Sequence, residues 1–338
     1  MTWFVRPARE SDLDAYHDFA LMTGGGFTNL PQNRDSLAER LAWSVRSFAA
    51  NLKAPDNEHY LLFLEEAGTG RIGGTAAIFS RVGAAFPFYS YKLGKISQSS
   101  RELGRTFTSE VLHLVNDYDG ASEVGGLFLH PEVRGGGVGR LLARSRYLFM
   151  AQHRARFGQR VLAELRGWLD ADGGSPFWDG LGARFFGMPF QEADRFNGMH
   201  GNQFIADLMP KHPIYVSMLP EASRAVIGKP HDKGIPALSM LEAEGFGFDG
   251  YVDIFDGGPT VCARVDQVKT VRDSRAVVVA ELTDSASGLP RALLAAGELG
   301  SFRAWHGHAD WRDGGLAVPR AEADLHRLSL GDPIRHVV

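Results

Sequence analysis

The residues with the clearest chemical potential are consecutive. Leu127, Phe128 and Leu129 lead through His130-Pro131-Glu132-Val133 into Arg134-Gly135-Gly136-Gly137-Val138-Gly139-Arg140. The segment reads as an apolar strand, a short loop, a glycine-rich turn and the start of a helix. Glycines let the main chain come close to a ligand and aim several N–H groups at one point. The helix that opens there adds its own free N–H groups and the positive end of its dipole. A diphosphate is the natural ligand, and Arg134 and Arg140 can add direct charge. Coenzyme A and a dinucleotide both carry one. In a dinucleotide site the glycines follow the strand almost directly and a third glycine packs helix against strand. Here His130 to Arg134 intervene, one of them a proline, and that third glycine is missing. Coenzyme A is the better fit. No Gly-Lys-Ser/Thr occurs, so nothing matches a P-loop.

The elements that must position this turn follow from periodicity. Trp3 to Val5 predicts a short strand closed by Pro7. Ser11 offers an N-cap with Asp14 three residues on, and a helix through about Met22. Thr23 to Pro31 must be a loop, because it holds three glycines and a proline. Leu37, Leu41, Val45 and Phe48 fall at helical spacing. Tyr60–Leu64 and Ile72–Ser80, joined by a charged glycine-rich link, predict a hairpin. Residues 84–120 read as an insertion with some strand. Gly125 to Leu129 predicts a strand. Val138, Leu141, Leu142, Ser145, Leu148 and Phe149 define one face of a helix reaching about Phe157. Val161 to Leu165 is the next strand, and Ser175 to Leu181 a short helix ending at Gly182. Residues 191–232 are mostly helical, Ala237 to Glu244 is a helix, and Phe248 to Phe255 a strand. Beyond Gly257-Gly258-Pro259 come short strand-like runs, at Val261–Val265, Ala276–Leu282, Arg291–Ala296 and Pro333–Val338. They predict a small β-barrel-like subdomain over 258–338, after a first domain over 1–257. No repeat of fixed period is evident.

The totals exclude several classes. The chain has 338 residues, 44% of them hydrophobic and 22% charged, and a net charge of -4. That is an ordinary globular composition. The negative balance argues against a nucleic-acid or anionic-membrane partner. No apolar run is long enough to span a bilayer, and the start of the chain is charged, unlike a signal peptide. The single cysteine, Cys262, cannot form an intrachain disulfide and suits a reducing compartment, so a cytoplasmic location is expected. His306-Gly307-His308 lacks further ligands at useful spacing, and no metal is expected. Lys211-His212, between prolines, reads as structural.

The pattern Arg-x-x-Gly-x-Gly at Arg134, Gly137 and Gly139 resembles the signature of GCN5-related N-acyltransferases. A closer resemblance, over nearly the whole chain, is to the arginine N-succinyltransferase family. It is carried by TGGGFTNLP (23–31), AELRG (163–167), SPFWDGLGARFF (175–186), FIADLMPKHPIY (204–215), VIGKPH (226–231) and DIFDGGPT (253–260). It weakens in 84–120 and after about 280. The resemblance implies an α+β acyltransferase fold: a mixed, mainly antiparallel sheet flanked by helices, with an added C-terminal β subdomain. In that fold the motif strand splays from its neighbour, and N–H groups near Leu127 to Leu129 can face the thioester oxygen.

It also implies succinyl transfer from succinyl-CoA, as a cosubstrate and with no tightly bound cofactor, to the α-amino group of L-arginine. That reaction opens arginine breakdown by the succinyltransferase route. Some members also accept ornithine. The family's proton-donor histidine corresponds to His231 and its succinyl-CoA-contacting leucine to Leu127. Other members of the superfamily often use a tyrosine as acid after the fourth helix. Here Ala183-Arg184-Phe185-Phe186 offers phenylalanine, which agrees with a different acid. A guanidinium wants carboxylates in fork geometry, and the substrates' carboxylates want cations. Glu164 and Arg166 alternate on a strand and share a face, and Asp253 and Asp256 end another. These four are the substrate-binding candidates. Three readings stay beside this one: a same-fold acetyltransferase, an acyltransferase for ornithine or another amine, and a CoA-binding regulatory subunit. Partners are small molecules, with assembly as a homo-oligomer or with a paralogous subunit left open.

Overall fold

The computed structural model describes residues 2–23, 30–200 and 203–338. Residues 24–29, most of the TGGGFTNLP loop, lie outside them. β1 (Trp3–Pro7), α1 (Leu13–Met22), α2 (Arg34–Ala49), β2 (His59–Glu66) and β3 (Ile72–Phe79) open the chain. Asn33 caps α2 by accepting from the Ser36 N–H at 2.8 Å. The expected Ser11 cap is not formed. A 3-10 turn at Glu10–Asp12 precedes α1. Asp12 is drawn instead to the buried Arg6 guanidinium, at 2.7 and 2.8 Å, and to the Arg9 N–H at 2.7 Å.

β4 (Ser90–Ser100) and β5 (Arg105–Val115) form one long hairpin where only an insertion with some strand was expected. β6 (Ser122–Leu129), α3 (Val138–Gln152) and β7 (Arg160–Glu164) follow. α3 stops five residues short of Phe157. Arg154 donates to the Phe157 carbonyl and Arg156 to the Ala50 carbonyl, and Phe157 turns into the core against Tyr60. Next come α4 (Pro176–Gly180), α5 (Ala183–Phe186), α6 (Phe190–His200), α7 (Gln203–Leu208), β8 (Ile214–Tyr215), α8 (Glu221–Arg224), α9 (Ile235–Ala243), β9 (Gly247–Asp253), β10 (Pro259–Arg264) and α10 (Lys269–Asp273). The C-terminal part holds β11 (Arg275–Thr283), β12 (Arg291–Ala296), β13 (Arg303–His308), β14 (Asp310–Arg312), β15 (Gly315–Pro319), α11 (Arg320–His326) and β16 (Pro333–Val337).

Among the described residues the strands join in the order β14-β15-β11-β16-β12-β13-β1-β2-β3-β6-β7-β10-β9-β4-β5-β8. All pairs are antiparallel except β6–β7 and β11–β15. This mixed, mainly antiparallel sheet flanked by helices is the α+β architecture expected from the sequence. The boundary expected near 257 is not where the architecture changes. β10 lies between β7 and β9 in the main sheet, and the change comes between α10 and β11. Nor are the last strands a closed barrel. β13 pairs with β1, so they extend the sheet at its N-terminal edge. No helix of the described residues is long and apolar enough to cross a membrane.

Alternation along each strand assigns the two faces. Leu62, Leu64, Ala76, Ile78, Val161, Ala163 and Val261 pack beneath α3. Leu61, Phe63 and Ala77 meet α1 and α2. Leu142 of α3 is fully buried in the first layer. Leu142→Ala should lower unfolding stability by about 2–5 kcal/mol, read as an earlier denaturant midpoint at unchanged slope.

Candidate active site

β6 and β7 begin as parallel neighbours and then part. They pair only at Ser122↔Val161 and Glu123↔Leu162, although β6 runs on to Leu129 and β7 to Glu164. Two features drive them apart. β6 carries a bulge: Ala77 faces Gly125 and Thr75 faces Phe128, so Gly126 and Leu127 stand opposite Ala76 alone. Gly126 sits at φ 56°, a left-handed conformation that favours glycine in this type of bulge. The extra residue flips the alternation, so Val124, Leu127 and Leu129 all turn toward α3 while Phe128 packs on Phe19 of α1 at 5.0 Å. The continuation of β7 is meanwhile held elsewhere. Leu165 N–H donates to the Pro259 carbonyl at 3.1 Å, Trp168 N–H to Lys229 at 3.1 Å, and His231 N–H to Arg166 at 2.7 Å.

A cleft of about 1120 Å³ runs through the gap, lined from both faces of the sheet. On the α3 face, Gly135, Gly136 and Gly137 take φ of 124°, 58° and 82°, and Gly137 is the N-cap of α3. The turn is exposed, and its free N–H groups lie where the helix dipole is positive. Arg140, Ala143, Arg144 and Tyr147 of α3 and Ala237 and Leu241 of α9 line the cleft inward from there. Gly139 lies within α3, where an added Cβ would stand 3.6 Å from the Leu129 side chain. Arg134 and Arg140 are exposed and meet no carboxylate among the described residues. These residues can hold a diphosphate at the turn and an extended arm beside β6.

The opposite face collects acid. Glu123 is paired with Phe79 and Leu162, so it shares the face of Trp43 on α2, which packs on Phe79. Glu164 follows Leu162 by two residues and turns the same way, as does Asp253 after Tyr251. Glu123, Glu164, Asp253 and Asp256 all line the cleft. Burial first, then Asp253, Glu123 and Asp256, push the Glu164 carboxyl well above its ordinary value. Its Oε1 is sealed from solvent without a hydrogen-bond partner among the described residues. Asp256 is raised by burial and by Asp253, yet its two oxygens accept from Gly167 N–H at 2.7 Å and Gly258 N–H at 2.9 Å. It braces the wall, and a Cβ at Gly258 would stand 2.1 Å from the Leu165 carbonyl oxygen. Asp253 accepts from Phe255 and Asp256 N–H groups at 2.7 and 2.9 Å. Arg166 stands 3.8 Å from Asp194 of α6 and lines the same cleft.

His231 reaches the cleft from a 3-10 turn held against the β7 extension by the Gly167↔Pro230 bridge. Its Nδ1 accepts from the Lys233 N–H at 3.1 Å, so the neutral ring carries its hydrogen on Nε2. Burial, then Arg166 and Lys233, push its pKa below the ordinary value.

The structure thus brings Leu127, Arg140, Glu164, Arg166, Asp253, Asp256 and His231 to one cleft, with the glycine turn just ahead of Arg140 at the start of α3 and outside the cleft lining. Sequence reasoning missed Glu123, the bulge at Gly126, Asp194, and the walls from α2 and α9. Two adjacent glycines inside an apolar strand were the available signal for the bulge. It also missed that β13 stands beside the turn: a Cβ on Gly137 would lie 3.7 Å from His306 Cε1. His306 is pushed down to about 4 by burial, Arg291 and Arg144. His308 pairs with Glu322 at 2.7 Å. Phe186 packs on Trp178 and does not line the cleft.

Residues 3–270 match the family model described as Arginine N-succinyltransferase beta subunit, and residues 274–337 match its C-terminal domain. The arginine N-succinyltransferases of Salmonella paratyphi B and Salmonella typhimurium are each 42% identical over 334 residues, 98% of this chain and 96% of theirs. Among solved structures, arginine/ornithine succinyltransferase subunit AI from Pseudomonas aeruginosa is 32% identical, with a TM-score of 0.90, covering 100% of this chain and 98% of that one. The chain belongs to the arginine N-succinyltransferase family. It is an acyltransferase whose small-molecule substrates include a CoA-linked acyl donor.

A carboxyl raised in the folded state binds its proton more tightly there than in the unfolded chain. Stability is then greatest below the unfolded carboxyl value, about 4.3 for glutamate, and is lost as pH rises through the folded value. Glu164→Gln removes that loss. The thermal midpoint of the variant relative to the parent should climb between acid and neutral pH in differential scanning fluorimetry; a pH-independent difference would contradict the raised carboxyl.

Proposed function

We propose that this chain is a cytoplasmic arginine N-succinyltransferase. It transfers succinyl from succinyl-CoA to the α-amino group of L-arginine, giving N2-succinyl-L-arginine and CoA, the first step of arginine catabolism by the succinyltransferase route. The observation that carries the reading is the cleft between β6 and β7. One face presents Arg140 in the first turn of α3, directly after the glycine turn that caps the helix, and the other presents carboxylates, Arg166 and His231.

The donor's diphosphate takes the amides and dipole of Gly135 to Gly139, with Arg134 and Arg140 beside it. The pantetheine arm follows β6, whose edge is left without a strand partner after Glu123. That edge offers main-chain N–H groups at Leu127 to Leu129 to the thioester oxygen, where charge develops as the carbonyl becomes tetrahedral. Leu127, turned toward α3, contacts the succinyl-CoA.

The acceptor enters from the α2 face. Its guanidinium and α-ammonium suit the acidic side of the cleft at Glu123 and Asp253, and its carboxylate suits Arg166. Asp256 contributes by holding the wall. His231 is the proton donor to the departing sulfur in its imidazolium form, and the burial and nearby Arg166 charge that lower its pKa make that imidazolium a stronger acid. The word subunit, in the family description and in the relative's name, supports assembly with like or paralogous chains as part of this reading.

Two measurements test it. Incubation with succinyl-CoA and arginine should release free thiol faster than acetyl-CoA with arginine, and ornithine in place of arginine reads acceptor choice. A preference for acetyl-CoA would remove the succinyl assignment. His231→Ala should lower kcat by about 100-fold or more while CoA affinity holds, the scale typical of a lost proton donor. Unchanged turnover would remove His231 from the chemistry.

A further inference from the structure

The reaction reading leaves one group without a task. Glu164 sits at the end of β7, where the strand has already left β6, and its Oε1 is buried without a hydrogen-bond partner among the described residues. The other acids of the wall are differently placed. Asp256 spends both oxygens on main-chain N–H groups, and Asp253 takes two. Facing Glu164 are Glu123 from β6, Asp253 and Asp256 from the end of β9, and Thr260 from β10, with Arg166 two residues on in its own segment. A buried carboxylate oxygen with no donor is costly unless a cation or a proton comes to it.

We propose that Glu164 is the base that deprotonates the acceptor's α-ammonium. This rests on the acyl-transfer reading above. The ammonium gives one proton to the Glu164 carboxylate and becomes a neutral amine. The amine nitrogen bonds to the thioester carbon, and the carbonyl oxygen takes the electron pair. As the C–S bond breaks, the nitrogen releases its second proton to solvent, and the thiolate leaves as thiol with the proton of the His231 imidazolium, which solvent then restores. The proton on Glu164 then passes to solvent, so each turnover releases one proton net. Burial first, and then the acids around it, raise the Glu164 carboxyl, which makes it a stronger base than an ordinary carboxylate. A carboxylate that only clamped a guanidinium would instead be held low by its partner.

The test is Glu164→Gln in the intact chain, assayed by thiol release from succinyl-CoA with arginine across pH. The expected result is a kcat lower by about 100-fold or more, the usual scale for a lost base, with the acidic limb of the kcat profile gone. KM for arginine should change little, and CoA affinity should match the parent. Glu164→Asp should keep the limb at an intermediate rate, which guards against a folding defect. A raised KM with unchanged kcat would overturn the proposal, since that is the signature of a clamp. So would a lower kcat with the acidic limb intact. Failure of the underlying reading is separable, because the parent protein would then release no thiol from succinyl-CoA and arginine.

Discussion

The structure depends on a parting of two strands. A parallel pair normally stays hydrogen-bonded along its length, because each unpaired N–H and C=O must find another partner. Here pairing ends after Ser122↔Val161 and Glu123↔Leu162. One strand is bent away by the bulge at Gly126. The other is tied to β10 and the 229–231 segment through Leu165, Gly167 and Trp168. The opening between them connects the helix α3 face to the helix α2 face. A donor and an acceptor can therefore reach one carbon from opposite sides of the sheet, which supplies the proximity that acyl transfer needs.

The same opening explains the charge distribution. The α3 face of the cleft carries Arg140 and Arg144, and the amide groups of the glycine turn lie just ahead of Arg140 in the chain, suited to a diphosphate. The α2 side has Glu123, Glu164, Asp253 and Asp256 packed together, with Arg40, Arg46 and Arg166 also lining the cleft. Such a cluster opposes folding when ionised and is kept only where something pulls the other way. Main-chain N–H groups at Gly167 and Gly258 stabilise Asp256, and those at Phe255 and Asp256 stabilise Asp253. Glu164 has no main-chain donor among the described residues, and in the proposed reaction it acts on the acceptor.

Much of this was legible in the residues, and the losses have physical causes. The glycine turn and α3 follow from local chemistry, since three successive positive φ angles and an apolar stripe leave few alternatives. That His231 would line the cleft was suggested only by the family resemblance of VIGKPH, because a histidine after a proline carries no distance information. Asp256 looked like a ligand for substrate. The two main-chain donors that claim it come from Gly167, far away in sequence, and from Gly258. The boundary near 257 was misread because the short apolar run at 261–265 looks the same whether it joins the main sheet or starts a new unit. Its partners, β7 and β9, decide the matter. The extent of the long hairpin, β4–β5, escaped for a similar reason: one face of its outer half is polar, with Ser97 bonded to Thr108 and Ser99 to Thr106, and the other holds only Ile96 and Phe107 as large apolar residues.

The most direct test of the central claim is amide hydrogen exchange with and without CoA, read at residues 124–140. The account predicts slowed exchange at Gly135 to Gly139 and along β6 from Gly126 to Leu129, with β11 and β12 unchanged. Protection confined to another part of the chain, or none at saturating CoA, would contradict it.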